Sequence, residues 1–572
     1  MRDPRLLNAE PSADTESESR TTWWRSLAFV VALAFAVRVI HAWLTLSTHS
    51  LADLLILDSR VYDEIANAML QNGFMGGDEV FSTAPLYPWV VSCVRAFVAP
   101  GQGTLIVVQQ AMALASIVLV GVIARMTFGV RAATPAAALF AFYGAGAMLE
   151  TKLMPSTFGV LCALLSLMGL LNADRRRTFA SAIWLSFLSG LAVGATCLVR
   201  LNTIVFVPFA ALWLLGFALK LKADGERDVK RGAGSVIVFG LGVFLVLAPP
   251  IVRNSIIEGE FASVTAHGGM TLYQSNNEAA TGIYSAIPGV VGNPAKLSAG
   301  LRRIAEREAG HSLTMSEVDD LWRARAFEFW LDDPVRAATL IAAKLRFWVG
   351  DDEISTEYVL ATERSLTPSL WLMPVPFAVI LALAVLGIQG AVRRPHISPG
   401  VWLLLGFVAT NVASTAIFYF SSRYRLPAVP VLCGFAGLGV VQIIDAVSRS
   451  NDDATDSSRI FAMLAALGVG LFSLYSFTDD YERYAAKQWF TYGLIHDERQ
   501  EHDLALASYQ HAIVRLSDQW HVHYALGRAY GRQGQATLAI QHYERALKLR
   551  PQSLDVRRGL EQERAKVSEQ NP

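Results

Sequence analysis

The sequence predicts an all-α, polytopic membrane protein of about eleven transmembrane helices, with outer juxtamembrane helices and a C-terminal helical-repeat module. Three observations carry this. Of 572 residues, 53% are hydrophobic and 17% are charged, against about 25% charged in an ordinary soluble domain. Apolar runs of bilayer-crossing length recur along the chain. Beyond residue 478 the composition turns charged and Ala/Tyr-rich, with a period of 34 residues. The same composition argues against a nucleic-acid binder, because 49 basic residues balance 49 acidic ones. Cys93, Cys162, Cys197 and Cys433 lie far apart in apolar runs and read as small packing residues.

In chain order, residues 1–22 are polar and rich in Ser and Glu, and are expected to be a disordered cytoplasmic tail. The run 23–47 is longer than a signal-peptide core and lacks a small-residue cleavage site, so it is expected to be a retained helix. Further spans are expected at 104–124, 132–149, 155–172, 179–199, 201–219, 234–252, 369–391, 400–420, 426–446 and 459–477. These form a membrane domain over 23–478, with long loops at 48–103 and 253–368. Segment 85–99 is too short to span and carries Pro85, Pro88 and Arg95, which suits a helix on the outer surface.

Basic residues orient this map. Arg20 and Arg25, Arg125 and Arg131, Arg175–Arg177, Lys220 to Arg231, Arg393 and Arg394, and Arg449 and Arg459 all fall on one side. If that side is cytoplasmic, both long loops and the C-terminal module face outward. The expectation is an inner-membrane protein with its repeats on the periplasmic side.

The module, 479–572, holds repeats at about 486–519 and 520–553. The second reads Leu526-Gly527, Tyr530, Gly534, Ala539, Tyr543, Ala546, Pro551. Thirty-four residues earlier stand Tyr492-Gly493, Ala505, Tyr509 and Ala512. The pattern resembles the tetratricopeptide repeat, in which small residues let paired helices approach and large ones fill the groove.

Charges at the outer face are where chemistry is expected, since ionisable groups in membrane proteins are costly to place. In Asp58-Ser-Arg-Val-Tyr-Asp-Glu-Ile-Ala-Asn-Ala-Met69 the apolar positions share one helical face, and Asp58 stands where a carboxylate can cap a helix. Downstream lie Ala84-Pro85-Leu86-Tyr87-Pro88-Trp89 and Arg423-Tyr424-Arg425-Leu426-Pro427 with Pro430. In order and spacing these segments resemble the GT-C glycosyltransferases of the protein O-mannosyltransferase and aminoarabinose-lipid A transferase family, over about residues 23–447.

The resemblance implies transfer of a sugar from a polyprenyl-phosphate donor to an acceptor on the outer side. Asp58 matches the family's first-loop aspartate and is the candidate general base. Glu150 takes the place of a second acid; it could orient the acceptor, share a divalent ion with Asp58, or simply pair with Lys152. Arg200, Arg423 and Arg425 are candidates for the donor phosphate, although an interfacial arginine also snorkels without any catalytic role. Tyr62 and Tyr87 sit in the matching motifs as substrate-binding candidates. The stretch from His267-Gly268-Gly269 to Asn276-Asn277 and Gly282 resembles one seen in bacterial members. Its asparagines suit sugar hydroxyls as well as a turn held by their own hydrogen bonds. No cofactor is called for beyond a divalent ion, and the acceptor is a lipid, a glycan or a protein. The repeats would serve a protein partner. The rival readings are a flippase of lipid-linked envelope precursors, which would place charges near the bilayer midplane, and a non-catalytic membrane anchor for the repeats.

Overall fold

The computed structural model describes residues 13–73, 76–175, 178–220, 229–284, 287, 290, 294–355, 357–448, 457–475 and 480–570. Residues 1–12, 176–177, 221–228 and 449–456 lie outside the described residues, Arg449 and parts of two basic inner loops among them. Among the described residues the regular structure is helical, with two isolated bridges, Tyr143 to Val375 and Ile283 to Phe420.

Seven described helices are long and apolar enough to cross a membrane: Thr22–Thr48, Gln102–Phe128, Ser156–Ala173, Phe179–Val199, Lys230–Glu258, Pro399–Ile417 and Ser422–Ser448. Shorter apolar helices at Val130–Ala141, Leu201–Gly216, Phe377–Val392 and Ile460–Leu474 fall on the other four expected spans. The chain is a multi-pass, all-helical membrane protein. Leu86–Phe97, expected as a surface helix, packs against Asp58–Asn72.

Small residues set the helix crossings. A side chain at Gly190 would collide with the Phe239 carbonyl, and one at Gly387 with the Phe435 carbonyl. Helix Phe179–Val199 can therefore lie directly on Val229–Glu258, and Phe377–Val392 on Val429–Ser448. In lipid, where apolar burial gives helices no reason to meet, such close backbone contact supplies the attraction.

Three expectations are corrected. The first helix begins at Ala13, so it includes part of the segment read as disordered. Extending an existing helix adds one hydrogen bond per residue and needs no new nucleus. The expected span 132–149 is two helices, Val130–Ala141 and Gly144–Leu149. At the break the Phe142 carbonyl accepts from the Val375 amide, and that of Ala141 from Arg38. Asp58 is the first residue of its helix rather than its cap, which is Leu57.

The chain divides into two compact units. One holds the membrane helices and most of the loops. The other comprises His49–Ala52, Asp352–Pro368 and Ser476–Pro572. Within it, hairpin Asp480–Glu498 with His502–Ile513 is followed by Trp520–Arg532 with Ala536–Leu549, then Leu554–Gln570. The 34-residue period has a visible cause. The Tyr509 ring lies where a side chain on Gly493 would stand, and Tyr543 does the same at Gly527. Buried Glu363 joins the segments of this unit: it accepts from Gln488 at 2.7 Å and from Tyr492 at 2.6 Å, and lies 3.5 Å from His49.

Candidate active site

Three short elements of the membrane unit converge. Helix Asp58–Asn72 follows Leu57, whose backbone is left-handed at φ 46°. For a residue with a Cβ this conformation is strained, and it sets the direction in which the helix begins. Helix Phe179–Val199 ends at Arg200, whose extended backbone separates it from the short turn Leu201–Val205. The third element is Ser422–Arg425, a single turn that opens the last long span.

At this junction Arg423 pairs with Asp58 at 2.6 Å; the arginine is buried, while Asp58 keeps 30% of its side chain exposed. Arg200 donates to Ser156 at 3.0 Å. Both guanidiniums lie over the Tyr424 ring, Arg200 at 4.9 Å and Arg423 at 5.3 Å from its centre. Burial, and then the neighbouring charge of Arg423, hold the Arg200 pKa below its ordinary value. A shared aromatic face is one of the few ways to keep two cations together. The Tyr424 hydroxyl meets that of Tyr419 at 2.8 Å, and Tyr284 stands edge-on to Tyr419.

Tyr62 lines the same site. Burial raises its pKa, with Asp58 adding to the effect, so the phenol stays neutral. Its ring meets Tyr87 edge-on at 5.5 Å, and the Tyr87 hydroxyl donates to Gln109 at 2.8 Å. Gln109 in turn donates to the Glu150 and Lys152 carbonyls. Tyr87 therefore braces the wall behind Tyr62.

The other candidates are held elsewhere. Glu150 is buried and takes both of its bonds from Arg38, at 2.9 and 3.0 Å. Its partner is Arg38, in place of the Lys152 that was one of the alternatives for it. With both oxygens engaged, Glu150 does not fit as a second carboxylate ligand beside Asp58. Among the described residues no three His, Cys, Asp or Glu side chains gather as a metal site. Arg425 is fully buried and donates to the carbonyls of Trp348 and Gly350, with its guanidinium 3.6 Å from the Phe377 ring centre. It caps the end of helix Pro334–Val349.

The Gly-Gly and Asn-Asn stretch forms structure of its own. A side chain on Gly269 would collide with the Asp319 carbonyl, while the Asp319 carboxylate accepts from the Gly269 amide at 2.7 Å. The glycines thus allow close approach of helix Met315–Asp332. Asn276 donates to the Leu272 and Ile417 carbonyls and accepts from Lys344 at 2.8 Å. Asn277 donates to the Tyr273 carbonyl and accepts from the Ala279 amide at 2.9 Å, closing an Asx turn. His267 meets Ser298 at 3.1 Å, and burial lowers its pKa.

Sequence reasoning missed Arg38, although an arginine inside an apolar span needs a partner. It also missed Lys344, which is completely buried on Asn276 and the Ala416 and Ile417 carbonyls.

Two segments of the chain match known families. Residues 82–250 match the family model of dolichyl-phosphate-mannose-protein mannosyltransferases, and residues 520–553 match the tetratricopeptide repeat. No curated protein sequence matches the chain. Among solved structures, the oligosaccharyltransferase of Archaeoglobus fulgidus, in complex with zinc and sulfate, is 16% identical, with a TM-score of 0.46. That alignment covers 84% of this chain and 57% of the archaeal one, so this chain spans little more than half of that protein. ArnT of Cupriavidus metallidurans, bound to undecaprenyl phosphate, is 12% identical, with a TM-score of 0.38 and coverage of 90% and 79%. The membrane unit carries a glycosyltransferase-family segment, joined in the same chain to a tetratricopeptide repeat.

Proposed function

We propose that this protein transfers a sugar from a polyprenyl-phosphate donor to an acceptor hydroxyl at the outer face of the membrane. The observation that carries the proposal is the pair of guanidiniums beside Asp58. Buried Arg423 and half-buried Arg200 share the Tyr424 face, and Arg423 also pairs with the Asp58 carboxylate. Two neighbouring guanidiniums suit a lipid phosphate, which they can hold in bidentate geometry.

On this view Arg423 holds Asp58 until the donor arrives, then turns toward the phosphate beside Arg200. Asp58 is thereby released as a base. The acceptor oxygen bonds to the anomeric carbon, its proton passes to the Asp58 carboxylate, and the carbon–oxygen bond to phosphate breaks. The bonding pair leaves with the lipid phosphate, whose added charge rests between the two arginines. Neutral Tyr62 and the Tyr419–Tyr424 pair offer donors and flat faces to the sugar. The basic inner loops support an outward orientation, and His49–Ala52 and Asp352–Pro368 belong to the same unit as the repeats.

The test is incubation of the purified protein with radiolabelled polyprenyl-phosphate sugars, following loss of label from the lipid. Asp58→Asn keeps the size and hydrogen bonding of the side chain but removes the base. It should lower turnover by roughly 10²–10⁴-fold. Wild-type turnover in that variant would refute the assignment.

A further inference from the structure

Among the described residues, two that are not glycine have a positive φ: Leu57 at 46° and Gln500 at 62°. Gln500 has an ordinary reason. It follows helix Asp480–Glu498, its amide donates to the Asp497 carbonyl, and the Glu501 amide donates to the His496 carbonyl at 2.8 Å. That pair of bonds closes the end of a helix around a left-handed residue. Leu57 stands at the other kind of end. It precedes a helix, where extended backbone is usual, as at Thr178, Thr314 and Ser398.

The bonds around Leu57 define what it does instead. The Ser59 amide donates to the Ile56 carbonyl at 3.0 Å, so residues 56–59 form a β-turn. With φ 46° and ψ −117°, Leu57 fits the second position of a type II′ turn, which glycine dominates. A leucine there crowds its own backbone, and such strain persists only where the surroundings hold it. They hold it from both sides. Ile56 and Ser59 are buried, and the Ser59 hydroxyl meets the Met154 sulfur at 3.5 Å. Between these anchors the third position of the turn is Asp58, which pairs with Arg423 at 2.6 Å. Were Leu57 to relax into helical backbone, the helix would begin one residue earlier. Asp58 would then pass from the corner of a turn to the side of a helix.

We propose that Leu57 is a positioning residue for sugar transfer: its II′ backbone, and not its side chain, aims the Asp58 carboxylate at the acceptor. The proposal rests on the reading of Asp58 as the base. It concerns orientation alone, so the hold of Arg200 and Arg423 on the donor is separate from it.

Full-length Leu57→Gly and Leu57→Val would be purified beside the wild type and assayed with the radiolabelled polyprenyl-phosphate sugars. Glycine adopts the turn without strain, whereas a β-branched side chain tolerates positive φ least. Leu57→Gly should therefore keep the wild-type kcat and keep or raise the melting temperature. Leu57→Val should lower kcat by roughly 10- to 100-fold and leave the donor KM unchanged. A packing role for the side chain predicts the reverse order, because valine keeps most of the apolar bulk and glycine none. Leu57→Gly slower than Leu57→Val would thus overturn the proposal, as would a wild-type kcat in Leu57→Val. The double variant L57V/D58N should be no slower than Asp58→Asn alone, since no base is left to aim; additive losses would mark a general disturbance of the site and overturn the proposal. Wild-type turnover in Asp58→Asn would remove the base assignment and this proposal with it. An impaired Asp58→Asn beside two unimpaired Leu57 variants would overturn this proposal alone.

Discussion

Two of the acid–arginine pairs in the membrane unit have equally buried arginines and differ in what surrounds the acid. Glu150 and Arg38 are both buried, bonded through two parallel contacts, and electrically balanced. Asp58 and Arg423 pair at 2.6 Å; the carboxylate is partly exposed, and a second arginine shares the Tyr424 face. A balanced, two-point pair out of water is a fixed part of a scaffold, because loss of either member strands a charge. A pair whose carboxylate is partly exposed can exchange partners. The first pair also caps the carbonyl end of helix Val130–Ala141 through Arg38, so it fixes backbone, whereas the second, on the function proposed above, meets a ligand.

That contrast can be broken from either side. The largest effect should come at Asp58, where the asparagine variant described above loses most turnover and keeps its melting temperature. At the other pair the pattern reverses. Arg38→Ala or Glu150→Ala alone should destabilise by about 3–5 kcal/mol, whereas R38M/E150L together should recover much of that loss. Thermal unfolding of the purified protein measures both, and additive losses would show that the pair is not coupled. A smaller effect is expected at Arg200→Ala and Arg423→Ala. Each removes a charge-assisted contact, so the donor KM should rise by roughly 10- to 100-fold. Steady-state kinetics against donor concentration would reveal an unchanged KM if the arginines do not hold phosphate.

The smallest effect concerns Lys344, which anchors the Asn276 loop. Burial pushes its pKa down to about 8 from the ordinary 10.5. Below pH 8 the amine is protonated in both states and the folded protein bears the cost of a buried charge. Between about 8 and 10.5 the folded state has lost the proton and the unfolded state still binds it, so stability from this group rises with pH. Melting temperatures across that window should show the rise in the wild type but not in Lys344→Met.

Much of the architecture was legible because lipid imposes a simple rule: helices must be long, apolar and self-satisfied. The same rule hid the breaks. The interruption at Phe142–Tyr143 depends on Arg38 and Val375, which are distant in sequence and take up the carbonyls it frees. At the site, Asp58, Tyr62, Arg200 and Arg423 do come together. Arg425, two residues from Arg423, points the other way, since successive odd positions on a helical turn do not share a face. Asn276 and Asn277 looked suited to sugar hydroxyls, but their amides are taken by backbone. Residue type tells what a group can bind, and only the fold tells what already binds it.

Glu363 has a practical consequence for anyone who shortens this protein. Its partners Gln488 and Tyr492 lie in the first helix of the repeats, and His49 lies just beyond the first membrane span. Cutting the gene before residue 480 would not detach a self-contained appendage. It would leave a carboxylate and a histidine, built for an interior, facing solvent in the loops that remain. A loss of activity in such a truncation would therefore report on damaged loops as much as on a missing partner-binding surface. Replacing exposed repeat residues, with Gln488 and Tyr492 kept, separates the two.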